Sequence, residues 1–107
     1  MRYVLDSAVI PGPGVYRYTL MPVADARAWL GAGGPWASRV GLTATAVHIE
    51  RVLGVKVPVL RVVVRLNPGD EALVVRRTYR VKDVEIKQWQ TQLTDEGWEI
   101  GLLQRVE

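Results

Sequence analysis

The chain has 107 residues, of which 49% are hydrophobic and 23% charged, and its formal net charge is +3. This length and composition predict a single globular domain over residues 1–107. No apolar run approaches the roughly 20 residues that cross a membrane, so we expect a cytoplasmic protein. Because cysteine is absent and histidine occurs once, disulfides, thiolate nucleophiles and Cys- or His-rich metal sites are excluded, and we expect no cofactor.

The N-terminal third predicts two strands and one helix. The segments RYVL (2–5) and VYRYTL (15–20) are rich in β-branched and aromatic residues, which is typical of strands. Residues 21–30 (MPVADARAWL) predict a helix with Pro22 in its first turn. The glycine-rich segment GAGGPWAS (31–38) predicts a flexible connection.

The segment GLTATAVHIERVLG (41–54) predicts a capped helix that carries the single histidine of the chain. Thr43 is a suitable N-cap, and Leu42 before it can pack on Val47 as a hydrophobic staple. Gly54 fits the position just past the C-terminus of the helix.

Residues 59–66 (VLRVVVRL) and 72–81 (ALVVRRTYRV) flank the turn NPGD and predict a β-hairpin. A tight turn centred on Pro68–Gly69 places Arg61 directly opposite Arg76. Side chains alternate between the two faces of a strand, so this hairpin collects several arginines on one face. They are Arg61, Arg65, Arg76 and Arg80.

Residues 82–97 predict a moderately amphipathic helix, and WEIGLLQRV (98–106) predicts a closing strand. Strands interleaved with helices predict an α/β (α+β) fold, with a single mixed β-sheet of about five strands and flanking helices.

The face of the predicted hairpin that carries Arg61, Arg65, Arg76 and Arg80 would be stabilised by an anion. Residues 51–80 carry 7 basic and 2 acidic side chains, and like charges opposed across strands are destabilising. A ligand phosphate would satisfy the guanidinium groups through paired hydrogen bonds. Alternatively, acidic residues of the C-terminal segment neutralise them internally. The candidates for this role are Asp83, Glu85, Asp95 and Glu99.

Residues 38–75 (SRVGLTATAVHIERVLGVKVPVLRVVVRLNPGDEALVV) resemble the core of the small viral ring nucleases that act as anti-CRISPR proteins. The segments YVLDSAV and EIGLLQRVE are similar to the ends of that family. The resemblance implies a two-fold dimer that binds cyclic tetra-adenylate, the messenger of type III CRISPR defence. It also implies metal-independent cleavage, in which a ribose 2′-hydroxyl attacks the adjacent phosphate and leaves a 2′,3′-cyclic phosphate.

The resemblance also implies roles for individual residues. The family histidine that protonates the leaving oxygen follows the glycine that is Gly41 here, and this chain has Leu42 in its place. Arg61 and Arg80 fall on family arginines, and Asp83 falls near a glutamate that assists catalysis. We therefore take Arg80 and Asp83 as catalytic candidates. To ligand binding we assign Asp6, Ser7, Thr43, Thr45, Arg61, Arg76 and Arg80.

His48 is a poor substitute for the missing histidine. It lies six residues beyond Leu42, which is about 9 Å along a helix axis and about 120° around it. We interpret His48 as a residue at the edge of the core, with a ligand contact or a displaced catalyst as the alternative.

Four functions follow from these patterns. The first is a binder of cyclic tetra-adenylate or a related cyclic nucleotide, a homodimer with slow or absent cleavage. The second is an active ring nuclease that uses Arg80 with Asp83. The third is a basic regulator that binds DNA or RNA, which is disfavoured because no helix carries a basic stripe. The fourth is a purely structural role for the tryptophans, which are Trp29, Trp36, Trp89 and Trp98.

Overall fold

The computed structural model describes residues 1–7, 12–32, 34–77 and 97–107, and within these ranges the chain forms five strands and two helices. In chain order the elements are β1 (Arg2–Leu5), β2 (Tyr16–Leu20), α1 (Val23–Gly31), β3 (Ala37–Arg39), α2 (Thr43–Leu53), β4 (Glu71–Arg77) and β5 (Trp98–Arg105). The strands form one mixed sheet in the order β2-β5-β4-β1-β3. The predicted α+β fold with a single mixed sheet and flanking helices is therefore confirmed.

The sheet has a parallel half and an antiparallel half. Strand β1 pairs in parallel with both β3 and β4. Strand β5 pairs antiparallel with β4 on one side and with β2 on the other. The carboxyl ends of β3, β1 and β4 consequently lie at one end of the sheet.

Both faces of the sheet carry a hydrophobic core. The larger core lies between the sheet and the two helices, and α2 contributes Ile49, Val52 and Leu53 to it. The smaller core lies on the opposite face. It consists of Leu5, Leu66, Ala72, Val74 and Leu103. Because consecutive residues of β4 enter different cores, its sequence ALVV is buried throughout.

The predicted hairpin is wrong. Residues 60–66 form no strand, and Val59 makes only an isolated parallel bridge with Val40. The turn itself is present, since the amide of Asp70 donates to the carbonyl of Asn67 at 2.9 Å. Both sides of β4 are already occupied by β1 and β5, so no pairing position remains for residues 59–66.

The register that placed Arg61 opposite Arg76 is wrong for the same reason, because Arg76 pairs with Glu99 of β5. The segment 62–66 instead packs across the smaller core through Val64 and Leu66. It does not join the sheet. The sheet still has five strands, because β3 takes the place of the predicted strand at 59–66. Strand β3 lies partly within the segment that we predicted to be a flexible connection.

The predicted caps of α2 are confirmed at one end only. Gly54 ends the helix in the left-handed conformation, with φ of 74°, and its amide donates to the carbonyl of Glu50. At the other end Leu42, not Thr43, is the N-cap, and no side chain caps the helix. The predicted staple is absent because Leu42 and Val47 are 51% and 60% exposed.

Candidate functional site

The candidate site lies at the carboxyl ends of the three parallel strands. Asp6 and Ser7 follow β1, Gly41 lies between β3 and α2, and β4 ends at Arg77. In sheets of this kind, ligands bind in the crevice beyond the carboxyl ends of the strands. The topology therefore brings Asp6 and Ser7 to the same end of the sheet as the start of α2, which sequence reasoning assigned to one site with them.

Gly41 is held on both sides by predicted ligand-binding residues. Its amide donates to Oδ2 of Asp6 at 2.9 Å, and its carbonyl accepts a hydrogen bond from Nε of Arg61, also at 2.9 Å. A Cβ at position 41 would lie 3.2 Å from Cγ of Arg61, so glycine gives the arginine room to approach. We call these three residues, Asp6, Gly41 and Arg61, the Gly41 bracket.

The bracket leaves most of the Arg61 guanidinium uncommitted. Arg61 is exposed, and one of its five N–H groups donates a hydrogen bond to Gly41. Within the described ranges its other N–H groups have no partner. This arrangement holds the arginine in place and leaves a fork of donors of the kind that binds phosphate.

The two threonines of α2 differ in accessibility. Thr43 is the first residue of the helix and is exposed. Thr45 is only 2% exposed, so its hydroxyl is not on the open surface. Leu42, where the resemblance places the catalytic histidine, presents an exposed aliphatic side chain beside the bracket.

His48 belongs to the core. Its side chain is 4% exposed, and its ring stacks on that of Trp98 with centroids 4.1 Å apart and an interplanar angle of 9°. Nη2 of Arg51 lies 3.0 Å from Nδ1 of the histidine. These contacts favour the interpretation of His48 as a packed residue over that of a displaced catalyst.

Arg76 is neutralised within the fold. Its Nε donates to Oε2 of Glu99 at 2.7 Å, and the hydroxyl of Tyr18 donates to the same oxygen at 2.8 Å. The hydrogen bond from Arg76 holds the pKa of Glu99 below its ordinary value. Burial raises the pKa of Tyr18 to about 12, and the bond to Glu99 acts in the same direction. Arg76 is therefore neutralised internally, and Glu99 is the acidic residue that neutralises it.

Arg80 and Asp83 lie outside the described residues. Their catalytic roles, and the ligand-binding role of Arg80, remain predictions from the sequence.

A cavity of about 270 Å³ opens beside the bracket on the face of the smaller core. Its lining consists of Leu5, Asp6, Ser7, Arg39, Val62, Val63, Val64, Leu66 and Leu103. Sequence reasoning missed Arg39, because it directly follows the segment 31–38 that was predicted to be a flexible connection, so no strand was expected to end there. The β-branched Val40 next to it was the available signal that a strand ends here.

Neither a metal-binding cluster nor a membrane-spanning helix occurs among the described residues. No cluster of three or more His, Cys, Asp or Glu residues suited to a metal occurs in residues 1–7, 12–32, 34–77 or 97–107. In the same ranges, neither helix has the length and apolar character needed to cross a membrane.

Comparison with known proteins places the chain in a family. No curated protein matches it. Among solved structures, it is similar to B116 of Sulfolobus turreted icosahedral virus, with a TM-score of 0.74 and 19% sequence identity. The similarity covers 97% of this chain and 98% of that protein, and at this identity it shows a shared fold. The STIV B116-like family model matches residues 2–100, and the chain therefore belongs to the STIV B116-like family.

Proposed function

We propose that this protein binds a cyclic oligoadenylate second messenger, cyclic tetra-adenylate in the first instance, and thereby counters type III CRISPR signalling. The proposal combines the resemblance of residues 38–75 to viral ring nucleases with the geometry of the Gly41 bracket. It also agrees with membership of a family named after a viral protein.

The bracket is the observation that carries the proposal. Arg61, an arginine that matches the ring nucleases, is fixed by Gly41 at the carboxyl ends of the parallel strands and keeps donors free for phosphate. The N-terminal amides of α2 lie beside it without a capping side chain, and such amides favour anions. Together these groups suit the phosphodiester backbone of a compact ring.

Sequestration, or slow cleavage at most, fits the chain better than efficient catalysis. Attack of the 2′-hydroxyl on phosphorus expels the 5′-oxygen, which needs a proton as it leaves. Leu42 has none to give, and His48 is buried against Trp98. Loss of a general acid typically costs about 10² to 10⁴ in rate. Any residual metal-independent cleavage would depend on Arg80 and Asp83 and would give linear products with a 2′,3′-cyclic phosphate.

The proposed partner set is the cyclic ligand and a second copy of the chain. A cyclic tetranucleotide has internal two-fold symmetry, so two identical bracket sites can grip it in equivalent ways. We propose that the homodimer acts in the host cytoplasm, where the messenger would be found.

The test is native mass spectrometry of the purified protein with cyclic tetra-adenylate, combined with chromatography of the nucleotides. We expect one intact ring bound to two chains. Arg61→Gln should weaken binding at least tenfold, since hydrogen bonds to charged groups contribute about 1.5–3 kcal/mol. Arg17→Gln, an exposed arginine on β2, is the matched control and should bind normally.

Other outcomes would replace the proposal. Rapid appearance of linear adenylates would identify an active ring nuclease, and Asp83→Ala would then test its mechanism. Tighter, salt-sensitive binding of long DNA or RNA, with no binding of the ring, would identify a nucleic-acid-binding regulator.

A further inference from the structure

The cavity beside the Gly41 bracket combines apolar walls with two charged groups. Leu5, Leu103 and the valines of segment 62–64 form the walls. The carboxylate of Asp6 and the guanidinium of Arg39 lie at its polar side. Arg39 pairs with Leu5 across β3 and β1, so both side chains lie on the same face of the sheet.

Both charged groups keep hydrogen-bonding capacity. Nη1 of Arg39 donates to the carbonyl of Ser38 at 2.8 Å, and the guanidinium lies over the ring of Tyr3, 5.8 Å from its centroid. It makes no other hydrogen bond within the part of the chain that the structure describes. Oδ2 of Asp6 accepts from Gly41, while Oδ1 has no partner among the same residues. One acceptor and several donors are thus available at the cavity.

A nucleobase suits this lining better than a phosphate does. The carboxylate of Asp6 would repel a phosphate, and the valine side chains offer it no hydrogen bonds. A base has two apolar faces and a polar edge. Proteins that recognise single-stranded nucleotides stack such faces on arginine guanidinium planes and hydrogen-bond the edge. A carboxylate oxygen can accept from an exocyclic amino group.

We infer that the cavity receives one adenine base of the bound ring, with Arg39 against the base and Oδ1 of Asp6 accepting from its 6-amino group. This inference rests on the proposed function and adds a division of labour to it. Arg61 contacts the backbone of the ring, whereas Arg39 and Asp6 select the base. Arg39 is therefore a specificity residue.

The test compares two rings that differ only at the base. Cyclic tetra-inosinate has the same sugars and phosphates as cyclic tetra-adenylate, but it carries a carbonyl where adenine carries the 6-amino group. The wild-type protein should bind the adenylate ring about tenfold more tightly, or better, since a buried acceptor left without its donor costs about 1–3 kcal/mol. Calorimetric titration of both rings measures this preference.

Variants separate the two roles. Arg39→Gln should weaken binding of the adenylate ring by about tenfold and reduce the preference, because the base is no longer held against Asp6. Arg39→Lys keeps the charge but loses the planar stacking surface, so it should reduce the preference as well. Arg61→Gln should weaken both rings equally and leave the preference intact. Arg17→Gln should change neither quantity.

The contrary outcomes are distinct. Equal affinity of the wild type for the two rings, with unchanged binding by both Arg39 variants, overturns the base pocket and leaves the proposed function standing. Equal weakening of both rings by the Arg39 variants makes Arg39 a phosphate contact and also overturns the base assignment. A wild-type protein that binds neither ring overturns the proposed function, and the base pocket with it.

Discussion

His48 is the single histidine of the chain, and packing fixes its position. Arginine can only donate hydrogen bonds, so the 3.0 Å contact with Arg51 requires Nδ1 of the imidazole to be the acceptor. A neutral ring then carries its proton on Nε2. The stack on Trp98 keeps the ring parallel to the indole and almost closed to solvent. The residue contributes apolar contact area and a fixed hydrogen bond to the core.

We expect His48→Ala to lower the free energy of unfolding by about 2–3 kcal/mol, because it removes a buried ring and leaves a cavity against Trp98. Urea denaturation measures the change. Val47→Ala, one residue away and 60% exposed, should stay within about 0.5 kcal/mol of the wild type. If His48→Ala instead kept its stability and lost cyclic tetra-adenylate binding or cleavage, His48 would belong to the site.

The residue types in the sequence predicted which residues belong to the candidate site, but they did not predict the hydrogen bonds that connect those residues. Asp6 and Arg61 were both named from the sequence, but their common attachment to Gly41 was not. It depends on β1 and β3 lying side by side, and β3 has only three residues and follows a glycine-rich run. The predicted register opposite Arg61 was wrong for Arg76, whose neighbour across the sheet is Glu99 of β5, one of the acidic residues named as a neutralising alternative.

Local sequence patterns predicted the ranges of individual strands and helices well, but they did not predict correctly which strands pair. Strands β1, β2 and β5 and both described helices lie close to their predicted ranges. The failure was at the pairing of 59–66 with β4. Alternating residues on both sides of an NPGD turn are typical of a hairpin, yet the continuous ALVV run indicates a central strand buried on both faces.

The two helices are connected by a capping contact that sequence reasoning did not predict. Arg27 of α1 donates through Nε and Nη2 to the carbonyl of Val52 in the last turn of α2, at 3.1 and 2.6 Å. The last carbonyls of a helix lack partners within the helix, and a cation there also interacts favourably with the helix dipole.

We expect Arg27→Met to lower the free energy of unfolding by about 1 kcal/mol, because Val52 loses its charged donor while the aliphatic part of the side chain is retained. Chemical denaturation followed by circular dichroism measures the change. Arg17→Met removes an exposed arginine from β2 and should have an effect below about 0.5 kcal/mol. Equal effects of the two substitutions would mean that the cap contributes nothing to stability.

Asp70 connects distant parts of the chain by hydrogen bonds at the amino end of β1. Its Oδ1 accepts from the Met1 ammonium at 3.0 Å, and its Oδ2 accepts from the amide of Asn67 at 2.9 Å. Its carbonyl accepts from the amide of Arg105 at 3.1 Å. The beginning of β1 and the turn before β4 therefore meet at the carboxylate of Asp70, and the end of β5 is bonded to its backbone carbonyl. This residue lies at the opposite end of the sheet from the candidate site.

This arrangement predicts a specific loss of stability in acid. Burial opposes the charged form of Asp70, but hydrogen bonds from Asn67 and the Met1 ammonium outweigh it and hold the pKa of Asp70 below its ordinary 3.8. Because the pKa is lower in the folded chain than in the unfolded one, ionised Asp70 stabilises the fold above the unfolded pKa, and this contribution disappears as the pH falls through the folded value.

Asp70→Asn should lower the free energy of unfolding by about 1–3 kcal/mol at neutral pH. The difference between wild type and variant, measured by urea denaturation from about pH 7 to about pH 3, should shrink steadily below about pH 5. A difference that stayed constant across this range would show that the hydrogen bonds of Asp70 do not depend on its charge.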